Sequence, residues 1–179
     1  MTEDLTTRYD GVLERTPEGG VIRFERHLAY DVRDVWDAIT TPARLADWWL
    51  PFDAEITVDL REGGEMVFAG TSEGEPVTMT CTILRLEPPA LFEHTHPAPG
   101  STMRWELEAA DTGCILRLSH VVPDLQEAVD NCYLVGLQTS LDRLEPGLAG
   151  RPEPWDWGAF AAGQAHYADR GLAAPVAAS

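Results

Sequence analysis

Lysine is missing from this sequence: all 13 basic residues are arginines, set against 30 acidic residues in a chain of 179. The absence excludes Schiff-base lysines, lysine general bases and the lysine that grips phosphate in nucleotide-binding loops. The formal net charge of −17 also disfavours nucleic acid and anionic membrane surfaces as partners, because like charges repel. We attribute the missing lysines to genomic composition rather than to function.

Cysteine is sparse, with single residues at Cys81, Cys114 and Cys132 and no paired spacing. A disulfide framework is therefore not expected. No apolar run approaches the roughly 20 residues that cross a bilayer, and residues 1–8 are polar and acidic, unlike a signal peptide. These absences predict reduced thiols and a soluble, cytoplasmic protein that does not insert into a membrane.

The length suits one domain, and the 44% of apolar residues can fill one core. We expect residues 1–20 to be a flexible lead-in, residues 21–150 the folded domain and residues 151–179 a C-terminal extension. In the extension we expect a short helix through Tyr167 and disorder from Ala173 to Ser179.

The domain begins with a pattern typical of one strand and two short helices. Apolar and charged residues alternate over Val21–Leu28, as in a half-buried strand. A cap at Asp31 begins the first helix. Thr41-Pro42 begins the second, which is expected to carry Trp48 and Trp49.

Short alternating segments separated by turns predict six further strands: Ala54–Leu60, Glu65–Ala69, Pro76–Leu86, Leu91–His96, Ser101–Ala109 and Cys114–Val122. A long helix with one apolar face follows, from a cap at Asp124 to Pro146. An antiparallel sheet with one apolar face needs a cover, so we expect an α+β fold in which this helix packs on the sheet. A curved sheet gripping a helix commonly leaves a cavity between them.

The order of these elements, and seven local strings, resemble the SRPBCC or START-like helix-grip superfamily. The resemblance is closest to the branch named for homology to the activator of the heat-shock-protein-90 ATPase. It spans about residues 21–150, and the strings are Val35–Thr40, Leu45–Trp49, Glu62–Glu65, Leu86–Leu91, Arg104–Leu107, Leu116–His120 and Gly136–Leu144. Two positions depart from the family pattern, since Leu137 stands where tryptophan is usual and His94 and His96 stand where aromatic residues are usual.

The resemblance implies a helix-grip fold: a curved antiparallel sheet of about six to seven strands around a long C-terminal helix, with two short helices after the first strand. It also implies a hydrophobic cavity that holds lipids, polyketides or other small apolar molecules. Some members of the superfamily are cyclases or hydrolases. The name of the branch leaves a chaperone partner open.

Strand alternation indicates which side chains line such a cavity. One face of each inner strand is apolar, and we assign these faces inward. The residues expected to bind a ligand are Trp49, Phe68, Phe92, Met103, Trp105, Leu118, His120, Tyr133 and Leu137. Trp105, in the middle of its strand, is the best single candidate for a cavity wall.

Three histidines lean inward in this arrangement, namely His94, His96 and His120. Imidazole is both a metal ligand and an acid or base near neutral pH. His94, His120 and Tyr133 are therefore the candidate catalytic residues. The simpler interpretation is structural, with His96 half exposed and His120 a satisfied buried polar group. We expect no metal ion and no organic cofactor.

Three functions follow in order of preference. The first is a binding protein for a hydrophobic small molecule. The second is a cyclase-, aldolase- or hydrolase-like enzyme acting on a polyketide-like substrate. The third is a chaperone-linked interaction protein, which predicts an exposed apolar patch that includes Trp155 and Trp157. The sequence leaves open whether the protein is a monomer or a homodimer.

Overall fold

The computed structural model of the chain describes residues 10–177. Its strands are β1 (Val12–Thr16), β2 (Gly19–Leu28), β3 (Ala54–Val58), β4 (Glu65–Ser72), β5 (Glu75–Glu87), β6 (Leu91–Thr95), β7 (Thr102–Ala110) and β8 (Gly113–Val122). They form one curved, unclosed antiparallel sheet of eight strands in the order β1-β2-β8-β7-β6-β5-β4-β3. The six strands predicted between residues 54 and 122 are all present, with ends displaced by a few residues.

Five helices accompany the sheet in the described residues: α1 (Val32–Thr40), α2 (Pro42–Leu45), α3 (Leu125–Asp130), α4 (Tyr133–Leu148) and α5 (Trp157–Ala168). The α+β helix-grip architecture is confirmed, with α4 as the helix that the sheet grips. Within this same part of the chain, no helix is both long and apolar enough to cross a lipid bilayer.

Local chemistry explains the start of α1. The Asp31 side chain accepts a hydrogen bond from the Arg33 N–H at 2.9 Å, which satisfies a donor at the exposed helix end. Val35, Trp36 and Ile39 follow at helical spacing and are buried against the core. The second helix is shorter than expected, because Trp48 and Trp49 lie in the turns after α2 rather than within it.

The helix predicted from Asp124 does begin with a cap at that residue, but it is interrupted at Cys132 and runs past its predicted end at Pro146. Cys132 adopts a left-handed conformation with φ of 55° and separates α3 from α4. Pro146 lies inside α4 and does not end it. Proline has no N–H to donate within a helix, but here the helix continues past it, and the Ala149 N–H donates to the Glu145 carbonyl at 2.9 Å.

The expected lead-in also contains structure. Strand β1 pairs with β2 from Val12 opposite Arg23 to Thr16 opposite Gly19, so the expectation of a flexible segment is wrong for residues 12–20. Gly19 has φ of 138°, and a Cβ there would lie 2.3 Å from the Val122 carbonyl oxygen. Only glycine fits this turn. Residues 1–9 of the lead-in lie outside the described residues.

The C-terminal extension packs back onto the domain. Tyr167 in α5 is fully buried, and its hydroxyl accepts a hydrogen bond from the Gly11 N–H at 3.1 Å and donates to Gln138 Oε1 at 2.9 Å. Beyond α5, Ala173 is 5% exposed and the Ala174 N–H donates to a carbonyl of α3. The disorder expected from Ala173 is therefore wrong at these two residues, while residues 178–179 lie outside the described part of the chain.

Charge lies on the convex face of the sheet. Arg104 in β7 forms ion pairs with Glu93 and Glu106. Arg117 in β8 forms ion pairs with Glu25 and Glu108. The opposite, concave face carries the apolar side chains that meet α4. The acidic residues thus stay away from the space between the sheet and the helix.

Candidate ligand-binding cavity

A cavity of about 370 Å³ lies between the concave face of the sheet and α4. Strands β4 to β8 form its floor, α4 forms its roof, and the segment after α2 and the C-terminal extension close its sides. The described residues around it carry no formal charge, because none is Arg, Asp or Glu. They are Ile39, Leu45, Trp49, Leu50, Pro51, Met66, Phe68, Met79, Cys81, Phe92, His94, His96, Pro97, Met103, Trp105, His120, Asn131, Cys132, Tyr133, Gly136, Leu137, Ser140, Trp155, Trp157 and Phe160.

Most residues expected to bind a ligand do surround this cavity. Trp49, Phe68, Phe92, Met103, Trp105, His120, Tyr133 and Leu137 all line it. Leu118 does not. Its side chain is fully buried in the core, between its cross-strand partners Phe24 and Trp105, so the inward-facing alternation was read correctly but the space there is already filled.

Three tryptophans form an aromatic cluster beside the cavity. Trp105 meets Trp48 and Trp49 edge to face, with ring centroids 6.0 and 5.5 Å apart. Trp48 is held outside the lining by a 2.9 Å hydrogen bond from its indole N–H to the Ala38 carbonyl. Trp49 is the one of the adjacent pair that faces the cavity, and such edge-to-face contacts favour a single ring orientation.

His94 is fully hydrogen-bonded inside the protein. The Trp105 indole N–H donates to His94 Nε2 at 3.1 Å, so the ring proton resides on Nδ1, which donates to the Thr95 carbonyl at 2.8 Å. The ring also packs on Phe92, with centroids 5.0 Å apart. One ring nitrogen of His94 thus fixes the Trp105 indole and the other is bonded to the backbone, an arrangement typical of a structural residue.

A second group of rings brings together His96, His120 and Tyr133. The ring centroids of His96 and His120 are 4.6 Å apart, and Tyr133 lies 5.3 Å from the first and 5.6 Å from the second. The Tyr133 hydroxyl donates to Glu127 Oε1 at 3.1 Å. His94 is not part of this group, because Met103 of β7 lies between His94 of β6 and His120 of β8.

His120 is anchored by a residue that the sequence did not single out. Ser101 Oγ lies 2.7 Å from His120 Nε2 and donates to the Val121 carbonyl at 2.8 Å. His120 Nδ1 is buried, and no described residue lies within hydrogen-bonding distance of it. Only the pairing of β7 with β8, which places Met103 opposite His120, shows that Ser101 reaches this ring.

Burial is the main cause of the pKa shifts in the cavity lining, because low-dielectric surroundings disfavour the charged imidazolium. It lowers the pKa of His94 and of His96 to about 4, and the pKa of His120 to about 3. Burial also raises the pKa of Cys81, another lining residue, to about 11. At neutral pH the whole lining is therefore uncharged.

The extension contributes three aromatic residues to the lining, of which the sequence analysis named only Trp155 and Trp157, as part of an exposed apolar patch. Trp155, Trp157 and Phe160 contact one another with centroids 5.6–6.1 Å apart. Arg143 of α4 holds them in place: its guanidinium lies 5.7 Å from the Trp155 ring centroid and donates to the Glu153 carbonyl at 2.8 Å. The signal in the sequence was the density of aromatic residues in an otherwise polar tail.

Gly136 is another lining position that the sequence analysis did not single out. A Cβ built there would meet no atom within 4 Å, so the residue faces open space in the roof of the cavity. Ser140, one turn further along α4, also lines the cavity, but its hydroxyl is occupied by the carbonyls of Trp49 and Gly136. Small side chains on this face of α4 therefore help to leave the cavity open.

The residues present do not form a metal site in residues 10–177, where no group of three or more His, Cys, Asp or Glu side chains is placed to hold an ion. The three cysteines are buried and free. The polar groups in the described lining are imidazoles, hydroxyls, indole N–H groups, the thiols of Cys81 and Cys132 and the amide of Asn131.

Solved structures show the same fold. CalU16 from Micromonospora echinospora is 27% identical, with a TM-score of 0.66 over 89% of this chain and 96% of that chain. A protein of unknown function from Enterococcus faecalis, EF2215, has a TM-score of 0.72 at 18% identity over 95% of this chain and 96% of that one. An AHSA1-like protein from Aeromonas hydrophila has a TM-score of 0.64 at 18% identity over 73% and 92%.

The sequence comparisons agree with the fold. No protein with a curated description matches the chain. The family described as Activator of Hsp90 ATPase homolog 1-like protein matches residues 29–149, which is most of the sequence and runs from the end of β2 to the end of α4. The chain belongs to this Activator of Hsp90 ATPase homolog 1-like family.

Proposed function

We propose that the protein binds a neutral, largely apolar small molecule in the cavity between the sheet and α4. The observation that carries the proposal is an uncharged, mainly apolar lining that encloses about 370 Å³ of space. Ligand sites for small molecules commonly span about 300–1,000 Å³ and combine apolar walls with a few polar groups.

The lack of charge restricts the class of ligand. A buried carboxylate or ammonium group needs an opposite charge or several hydrogen bonds to offset its desolvation. The lining residues in the described chain offer no ionic partner, and burial keeps their imidazoles neutral by lowering the pKa of each. Fatty acids and amines that carry a charge at neutral pH are therefore poor candidates for the ligand. Uncharged aromatic or alicyclic molecules are better candidates.

The shape of α4 also supports binding. A cavity lowers stability roughly in proportion to its volume, so folding alone favours larger side chains around it. Gly136 has open space at its Cβ position, and Leu137 lines the cavity where the family usually has tryptophan. Retaining small residues here fits a site that is filled by a ligand.

Catalysis has less support from the same residues. A general base works best with a pKa near the operating pH, whereas the pKa of His120 is lowered to about 3. Both nitrogens of His94 are bonded within the protein, and the Tyr133 hydroxyl is bonded to Glu127. We therefore rank binding above the enzyme hypothesis.

The chaperone hypothesis required an exposed apolar patch in the extension. Trp157 is 62% exposed, but Trp155 and Phe160 beside it are partly buried at the cavity. The partial burial of Trp155 and Phe160 supports a role for them at the cavity, whereas Trp157 is largely exposed.

The test is titration with N-phenyl-1-naphthylamine, a neutral fluorescent probe, and the matched variants Gly136→Phe and Glu145→Phe. Both place phenylalanine on α4, one in the cavity and one on its exposed face. We expect saturable binding by the wild type and by E145F, and at least tenfold weaker binding by G136F. Absence of saturable binding to the wild type, or equal binding by all three, would contradict the proposal.

A further inference from the structure

His120 is the most deeply buried polar side chain of the cavity lining, at 1% exposure, yet only one of its ring nitrogens has a partner in the described chain. A buried polar atom without a hydrogen bond destabilises the folded protein, because it has lost its contacts with water. Such atoms in native structures are uncommon and call for an explanation. The cavity that His120 lines offers one, because a ligand can supply the missing partner.

The hydrogen bonds around Ser101 define what His120 offers. The Ser101 hydroxyl has a single hydrogen, which it donates to the Val121 carbonyl at 2.8 Å. His120 Nε2, 2.7 Å from the same oxygen, must therefore be the N–H that donates to it. The ring is neutral, so Nδ1 carries a lone pair and is a hydrogen-bond acceptor.

His96 offers the opposite polarity next to it. The Ala98 N–H donates to His96 Nδ1 at 3.2 Å, so the proton of this neutral ring is on Nε2, which is a donor. The two ring centroids are 4.6 Å apart, and both rings line the cavity. One stretch of the wall therefore combines an acceptor on His120 with a donor on His96.

We propose that this pair of imidazoles binds a hydroxyl group of the ligand, and hence that the ligand is an apolar phenol or alcohol. The hydroxyl donates to His120 Nδ1, and its oxygen accepts from His96 Nε2. This inference rests on the proposed function, since it names the polar group of the molecule held in the same cavity.

Other neutral groups match the pair less well. A ketone or an ether oxygen accepts a hydrogen bond but has none to donate, so it leaves His120 Nδ1 without a partner. A pure hydrocarbon leaves both nitrogens without one. A hydroxyl is both a donor and an acceptor, and leaving a polar group of a site unpaired is what makes a protein reject a ligand that lacks the matching group.

The experiment compares 2-naphthol with 2-methoxynaphthalene, which keeps the oxygen and the ring system but has no hydrogen to donate. Isothermal titration at pH 7 gives the dissociation constants for the wild type, His120→Phe and His27→Phe. His27 is an exposed imidazole on the other face of β2, 69% exposed at its side chain, so H27F removes the same chemical group far from the cavity. In the wild type and H27F we expect 2-naphthol to bind about tenfold more tightly, as one hydrogen bond predicts. In H120F we expect 2-naphthol and 2-methoxynaphthalene to bind with about equal affinity.

The outcomes separate the two proposals. If both probes bind the wild type equally, the hydroxyl site is wrong and the apolar cavity remains supported. If H120F keeps the preference for 2-naphthol, the hydroxyl site is also wrong. If neither probe binds the wild type, both proposals fail.

A second measurement does not depend on whether H120F folds. In wild-type protein labelled with ¹⁵N-histidine, the unprotonated Nδ1 resonance of His120 should move upfield when 2-naphthol is added, because it accepts a hydrogen bond. Addition of 2-methoxynaphthalene should leave that resonance at its position in the free protein. An unchanged Nδ1 resonance at saturating 2-naphthol would overturn the inference.

Discussion

The two faces of helix α4 carry similar residues but differ in packing density: one is tightly packed, and the other borders the cavity. On one face, Leu134 packs so closely that a Cβ added at Gly11 would lie 2.6 Å from it and 2.6 Å from Phe24. On the other face, a Cβ added at Gly136 would meet nothing within 4 Å. We name these the packed side, around Gly11, Phe24, Leu134, Gln138 and Tyr167, and the open side, around Tyr133, Gly136, Leu137 and Ser140.

The difference between the two sides teaches that apolarity does not distinguish a core from a binding cavity. Both faces of α4 are mostly apolar and both contain buried polar groups. On the packed side these groups are bonded to each other, as in the link from Gly11 through Tyr167 to Gln138. Facing the open side, His120 has a ring nitrogen with no hydrogen-bond partner among residues 10–177. Space together with unsatisfied polarity indicates a ligand site.

Acid should destabilise the protein through the three histidines that line the cavity opposite the open side, and this is the largest effect we expect. Unfolding returns the pKa of His94, His96 and His120 from about 4, 4 and 3 to about 6.5. Their contribution to stability is therefore complete above pH 6.5 and lost as pH falls toward 4. The loss should approach about 4 kcal/mol per pH unit near pH 5, where three protons are taken up on unfolding.

Urea unfolding at pH 7.5, 6.5, 5.5 and 5.0 measures this dependence. The range stays above the ordinary pKa of carboxylates, so the surface acids contribute little to the slope. The variant H120F, which takes up one proton fewer, should show a shallower slope than the wild type. A free energy of unfolding that is constant over this range would contradict the assignment of three neutral buried imidazoles.

Truncating one leucine on each side of α4 tests the contrast directly. Leu134→Ala removes a side chain from dense packing and should lower the free energy of unfolding by about 3 kcal/mol. Leu137→Ala removes the same atoms from a wall that already faces space, so less packing is lost and about 2 kcal/mol is expected, the lower end for such truncations. Urea unfolding of both variants gives the two values, and equal losses would mean that the two sides are packed alike.

Adding a methyl group gives the smallest effect, with opposite signs on the two sides. Gly136→Ala has room and removes glycine from a helix interior, so it should stabilise the protein by about 1 kcal/mol. Gly11→Ala should destabilise it by about 1–2 kcal/mol, because the methyl group overlaps Leu134 and Phe24. Thermal unfolding would show this as shifts in Tm of opposite direction. Shifts of the same sign would contradict the comparison.

Much of the fold could be predicted because its signals are local. The strands between residues 54 and 122 are bounded by Gly and Pro turns, and the predicted ends lie within a few residues of those observed. The errors have tertiary causes. Strand β1 is stabilised by pairing with β2, which its own sequence does not indicate. The helix breaks at Cys132 because this residue adopts a left-handed conformation, which is uncommon for residues other than glycine.

The site was predictable only in part for the same reason. Alternation indicated that Phe92, Met103 and Trp105 face inward, and they line the cavity. Alternation could not show that Leu118 lies in filled space, because cavity volume depends on every neighbour at once. It also could not show that Ser101 meets His120, which depends on the register of two strands, or that Trp155 returns to the cavity from the tail.

Trp155, Trp157 and Phe160 form one side of the cavity from outside the family match. The family match ends at residue 149, and these aromatic residues lie beyond it. One side of the cavity is thus built by an appendage outside the shared domain and fastened through Arg143. Removing that appendage would open one side of the cavity and leave the residues of the family match in place.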